Sequence, residues 1–201
     1  MPDADWWKTL WPTPDRVVLD LLKLMLKQYE PSEPFDASPM VGIDLCCGDG
    51  HFTIPLAQAM PNAQIYGIEI DCDVLNRAQS EAANLNIENC TWICGDVMDL
   101  RSIVRDRADF ILMANTFHGV PDKNTITRIV SDALKPGGVF CVINWRKMDR
   151  DRTTVMGIPR GPKTEMRMDI SEVVDVLSHD FELKYSVDLP PYHYGAVFVK
   201  L

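Results

Sequence analysis

The chain has no apolar run long enough to span a bilayer and no internal repeat, low-complexity tract or charged tail, so a membrane span, a solenoid and a tail-driven binder are all excluded as readings. It is short of positive charge. Only 20 of its 201 residues are Lys or Arg against 29 Asp or Glu, a formal net charge of −9. The phosphates of a nucleic acid would be repelled by that field unless a local basic patch intervened, and a cationic ligand would be favoured. The N-terminus carries Trp6, Trp7 and Trp11 among acidic residues rather than a basic and then apolar leader. A cytoplasmic protein is expected, with neither nucleic acid nor membrane as partner. The cysteines lack the spacing of a metal site, because Cys90 and Cys94 have no second close pair. No metal is expected. Cys46, Cys47, Cys90, Cys94 and Cys141 fall in or beside predicted strands, and reduced, buried thiols are expected of them.

What is present is the composition of an ordinary globular protein, 46% hydrophobic and 24% charged. The length fits one domain, 1–201, able to bury roughly 70% of the surface its unfolded chain exposes. Residues 1–40 are expected to form an N-terminal helical cap. Thr13-Pro14 supplies an N-cap followed by proline at the first helical position, for a helix from about Pro14 to Gln28. The three tryptophans read either as a packing anchor for that helix or as a lid over a ligand, with Trp7 the candidate contact.

The stretch that organises the rest is Val41-Gly42-Ile43-Asp44-Leu45-Cys46-Cys47-Gly48-Asp49-Gly50-His51-Phe52. It reads as a strand, a tight loop and a helix start, in which Gly48 and Gly50 allow a sharp turn and close approach of a ligand to backbone N–H groups. Thr53 stands where a dinucleotide fingerprint has its third glycine, and Asp44 lies inside the strand, which favours a ligand without a pyrophosphate. Strands are predicted at 63–70, 90–94, 108–114 and 139–145, with helices between them. Glu69 closes the second strand, 25 residues after Asp44, where a carboxylate accepts hydrogen bonds from ribose hydroxyls; the alternative is a solvated strand end.

Asp44-Leu45-Cys46-Cys47-Gly48-Asp49-Gly50 resembles the first motif of class I S-adenosylmethionine-dependent methyltransferases, usually acid-x-Gly-x-Gly-x-Gly, with Cys46 in place of the first glycine. Leu134-Lys135-Pro136-Gly137-Gly138 is similar to the turn that accompanies that motif. The resemblance, closest to the small-molecule branch of the family, implies an α/β fold: a Rossmann-like, seven-stranded, mostly parallel sheet with a C-terminal antiparallel hairpin and helices on both faces. It implies S-adenosylmethionine as cofactor, held by Asp44, Cys46, Gly48, Gly50, Glu69 and Ile70. Asp96 and Val97 would meet the adenine, with Asp96 open to a second reading as a helix cap, and Asn115 would lie beside the methyl group.

The acceptor is expected to be a small molecule. His118, after the fourth strand, and His193, in the last loop, are candidate bases, since histidine titrates near neutrality; packing under a loop is the alternative for each. Residues 146–169 hold seven Lys and Arg residues without periodicity, either a solvated loop or a cationic cover over an anionic acceptor, with Arg160 and Arg167 the candidate contacts. Tyr192 and Tyr194 would line the same pocket or pack a turn at the sheet edge. Two other functions stay open: a nicotinamide-dependent oxidoreductase, opposed by the missing third glycine, and a binding protein that keeps the fold without turnover. Arsenical thiol chemistry is disfavoured because Cys46, Cys47 and Cys72 fall near the cofactor loop.

Overall fold

The structure is a computed structural model and describes residues 39–201. The predicted helix at 14–28, the cap at 1–40 up to residue 38, and Trp7 lie outside the described residues. The elements run β1 (Val41–Leu45), α1 (Thr53–Ala59), β2 (Gln64–Glu69), α2 (Cys72–Asn84), β3 (Cys90–Cys94), α3 (Leu100–Ile103), β4 (Ala108–Ala114), α4 (Lys123–Ala133), β5 (Leu134–Trp145), β6 (Thr154–Val155), β7 (Ile158–Pro159), α5 (Ile170–Leu177), β8 (Phe181–Leu189) and β9 (His193–Lys200). Seven strands form one sheet in the order β3-β2-β1-β4-β5-β9-β8, and β6-β7 is a separate small hairpin within the segment after β5. Strands β1 to β5 pair in parallel; β9 is antiparallel to both β5 and β8, so β8 runs with the parallel set. The Rossmann-like sheet with its antiparallel ending is the expected one.

Alternation along the strands divides the core into two layers. Phe110, Leu112, Cys141 and Ile143 pack on one face with Phe52, the N-cap residue of α1, and with Leu56 within α1. Ile111, Met113, Phe140 and Val142 pack on the other face with Ile126 and Val130 of α4 and Val173 and Leu177 of α5. Both faces of the central strands are therefore apolar, which is why β4 and β5 read as near-continuous hydrophobic runs. Pro136-Gly137-Gly138, expected as a turn ahead of a strand beginning at 139, lies within β5 where its register with β4 shifts, and Lys135 beside it pairs with the buried Asp109 at 2.8 Å. Asp109 also accepts from the Val41 amide at 2.7 Å, tying the starts of β1, β4 and β5 together.

The order reverses between β1 and β4: from β1 the chain builds outward through β2 and β3, from β4 through β5. A crevice at the carboxyl ends of strands is expected at such a switch point. Among the described residues, no helix is long and apolar enough to cross a membrane.

One cysteine expectation is corrected. Cys94 is not a buried thiol but is exposed and disulfide-bonded to Cys72, also exposed. Cys72 opens α2 just after Glu69, and Glu69 is paired in register with Cys94, so the two Cα atoms lie 5.2 Å apart. Parallel pairing, invisible in the spacing of the two cysteines, brings them together. Cys46, Cys47, Cys90 and Cys141 are free; Cys47 and Cys141 are buried, Cys46 and Cys90 half-buried.

Candidate active site at the carboxyl ends of the strands

The glycine loop owes its shape to left-handed backbone at three positions, Cys46 (φ 58°), Gly48 (φ 56°) and Gly50 (φ 83°). A Cβ at Gly50 would also come within 3.0 Å of the Trp92 ring. Cys46, where the family usually has glycine, takes the left-handed conformation that glycine would, at a cost on the order of 1 kcal/mol. Asn115, ending the neighbouring strand β4, does the same with φ 60°. Two non-glycine residues in this conformation flank the switch point, and the Asn115 side-chain oxygen is buried with no hydrogen-bond partner among the described residues.

Asp44 is 1% exposed, and the Thr53 hydroxyl donates to it at 2.6 Å. Burial pushes its carboxyl up to about 7, the Thr53 bond opposes the rise and the nearby Glu69 charge adds to it. Thr53 was legible only as a missing glycine; its role is to satisfy the buried acid. Glu69 links the loop to the second strand. One carboxylate oxygen accepts from the Gly48 amide at 3.0 Å and the other from the amides of Ile70 (3.0 Å) and Asp71 (3.1 Å). It is thus no solvated strand end. Ile70 is exposed beside it. Asp96 is exposed and accepts from the Met98 amide at 2.9 Å, so the cap reading applies, with half-buried Val97 next to it.

Beyond β4 the character changes. His118 lies half-buried in a single 3-10 turn, Phe117–Gly119, held by the Lys123 ammonium, which donates to the carbonyls of His118 (3.2 Å) and Val120 (2.9 Å). Its Nδ1 faces Asn144 Oδ1 at 3.3 Å. Burial holds its pKa below the usual histidine value, the Asn144 bond opposes that, and the charges of Lys123 and Arg167 push it further down.

His193, expected on the same face, begins β9 at 1% exposed, its ring 4.1 Å from that of Trp145. Burial, then the charges of Arg167, Arg146 and His118, push it down to about 3. It packs against Trp145 inside the protein, whereas His118 is half-buried.

Arg167 is 2% exposed and spans the segment after β5. Its Nε donates to the Pro162 carbonyl (3.1 Å), its Nη2 to Thr153 Oγ1 (2.8 Å) and to the Arg160 carbonyl (3.0 Å), and it lies 5.4 Å over the Trp145 ring. Nη1 has no hydrogen-bond partner among the described residues. Arg160 contributes its main chain, bonded to Thr153 on both sides. Tyr192 stacks on Trp145 at 6.2 Å and donates to the Thr154 carbonyl; Tyr194 is buried and donates to the Met168 carbonyl. Both tyrosine hydroxyls therefore hold the cationic segment against the sheet. The residues that sequence reading missed are Asn144 and Trp145, the ends of an apolar strand. A polar Asn closing such a run, as Asn115 closes β4, is the signal that was there to be read.

A family model described as a methyltransferase domain matches residues 36–180. The chain belongs to that family. Its relatives among characterised proteins include a demethylmenaquinone methyltransferase of Geobacillus sp. (strain WCH70), 28% identical over 102 residues, or 50% of this chain and 43% of that protein. This methyltransferase-family chain thus spans less than half the length of that relative. Among solved structures it resembles a SAM-dependent methyltransferase from Aquifex aeolicus (TM-score 0.72, 20% identity, 98% of each chain). It also resembles a putative type 11 methyltransferase from Sulfolobus solfataricus (TM-score 0.61, 28% identity, 83% of this chain and 86% of that one). Among the described residues no group of three or more His, Cys, Asp or Glu converges as a metal site.

Proposed function

We propose that the chain transfers the methyl group of S-adenosylmethionine to a small-molecule acceptor that carries an anionic group. The observation that carries the reading is Glu69: its carboxylate joins the glycine loop to the end of β2 at the switch point, with Asp44 behind it and Asp96 one strand further out. The residues fit the cofactor. Glu69 is the acceptor for ribose hydroxyls, Asp96 and Val97 meet the adenine, Asn115 Oδ1 is a buried acceptor without a partner, and acids suit a cationic ligand. S-adenosylmethionine supplies a methyl on a sulfonium sulfur; the chain's own task is to align and desolvate.

On the acceptor side, Arg167 Nη1 offers a buried cationic donor, which favours an acceptor with a carboxylate, phosphate or enolate group. The relatives named demethylmenaquinone methyltransferases support a small-molecule acceptor. The family match and the acids disfavour a nicotinamide cofactor. Titration calorimetry with S-adenosylhomocysteine and with NAD separates the two: saturable adenosylhomocysteine binding and no NAD signal are expected, and the reverse overturns the proposal.

A further inference from the structure

Four groups form a chain of hydrogen bonds whose direction is set from one end. The Tyr194 hydroxyl donates to the Met168 carbonyl at 3.0 Å; a carbonyl only accepts, so the phenolic proton is committed there. The Tyr194 oxygen can then only accept from Asn144, which must present its amide nitrogen, at 3.4 Å. That turns Asn144 Oδ1 toward His118 Nδ1, at 3.3 Å, and an amide oxygen only accepts. Asn144 is 0% exposed at the end of β5, so no solvent competes for either end of its amide.

We propose that Tyr194 and Asn144 are positioning residues that hold His118 as its Nδ1–H tautomer, leaving Nε2 as the ring atom that takes the acceptor's proton. The catalytic meaning rests on the methyl-transfer reading. The proton leaves the acceptor's O–H or N–H for Nε2, the freed electron pair forms the bond to the methyl carbon, and the carbon–sulfur electrons remain on sulfur as a thioether. The charged and titratable groups around the ring come from three elements: Lys123 at the start of α4, Arg167 in the segment after β5, and His193 at the start of β9. Burial and the charges of Lys123 and Arg167 disfavour the imidazolium, and His193 is itself uncharged, so the ring is neutral at rest and its tautomer decides which atom is the base.

The tautomer is read without any acceptor. Protein labelled with 15N-histidine gives long-range proton–nitrogen correlations for each ring, and H118Q identifies the His118 pattern. The wild type should show His118 as Nδ1–H. Y194F frees the amide to turn and N144A removes it, and each should convert most of the signal to the Nε2–H form that free imidazole side chains prefer. N144D, whose carboxylate also only accepts, should restore Nδ1–H and raise the His118 titration midpoint, which a purely structural Asn144 would not do. An Nε2–H wild type, or a tautomer unchanged in N144A and Y194F, overturns the proposal; if N144A does not fold, Y194F decides. Adenosylhomocysteine calorimetry on the same samples keeps the two readings apart. Lost binding with an Nδ1–H ring counts against methyl transfer alone, and normal binding with an Nε2–H ring counts against the tautomer alone.

Discussion

The two halves of the carboxyl-end surface solve opposite problems. On the β1–β3 side the site is made of backbone and acids: the loop turns through left-handed residues, Glu69 accepts from the amides of Gly48, Ile70 and Asp71, and one carboxylate, Asp44, is buried. On the β4–β5–β9 side it is made of side chains and cations: Trp145 is enclosed by Tyr192, His193 and Arg167, and the buried charge is a guanidinium. A loop that binds through its backbone tolerates little change in local sequence, whereas a wall assembled from side chains can be rebuilt for another acceptor on the same sheet.

The largest expected effect tests whether the halves are separable. Trp145→Ala removes the ring against which the segment after β5 is packed; even Gly161 sits so close that a Cβ there would be 2.7 Å from it. A loss of about 3–5 kcal/mol in stability is expected from chemical denaturation, as for other buried tryptophans, with adenosylhomocysteine affinity within about twofold of wild type at temperatures where the variant is folded. A parallel fall in cofactor affinity would mean that the acceptor wall also shapes the cofactor loop.

Glu69→Ala should do the converse. If Glu69 is the charged acceptor for the ribose, its loss costs about 1–3 kcal/mol, roughly 5- to 150-fold in adenosylhomocysteine affinity by calorimetry. Stability should change less, because Glu69 is half-exposed and the amides it leaves can reach water. Unchanged affinity would confine Glu69 to holding the loop.

The contrast also explains what could be read in advance. Asp44, Gly48, Gly50 and Glu69 stand at fixed offsets along one βαβ unit, so their placement around the loop is local and legible as a pattern, and the sheet followed from the order of such units. The acceptor wall depends on contacts far apart in the chain. Asn144 meets Tyr194 only because β5 and β9 pair antiparallel in that register, and Arg167 reaches Thr153 only through the folding of the segment between them. Arg160 and Arg167 were equivalent as sequence; packing buries the Arg167 side chain as a staple, while the Arg160 main chain is bonded to Thr153. The Cys72–Cys94 bond was hidden for the same reason, since pairing of β2 with β3 creates it.

The last expected effect is a dependence on pH and follows from the sign of the buried charge on the β1–β3 side. Asp44 has its carboxyl raised from 3.8 to about 7, chiefly by burial. For an acid whose folded pKa lies above its unfolded one, the favourable contribution is complete below the unfolded value, declines as pH climbs toward the folded value, and is gone above it. The substitution Asp44→Asn removes this dependence, because an amide stays neutral while its oxygen can still accept from Thr53. The stability of that variant relative to wild type should therefore increase from about pH 4 to pH 7 and level off above, as measured by urea denaturation of both proteins across that range. Relative rather than absolute stability is the quantity to follow, since the other acids titrate equally in both. A difference that stays flat from about pH 5 to pH 8 would show that Asp44 is ionised throughout. The β1–β3 side would then hold a full buried negative charge, as the other side holds the buried positive charge of Arg167.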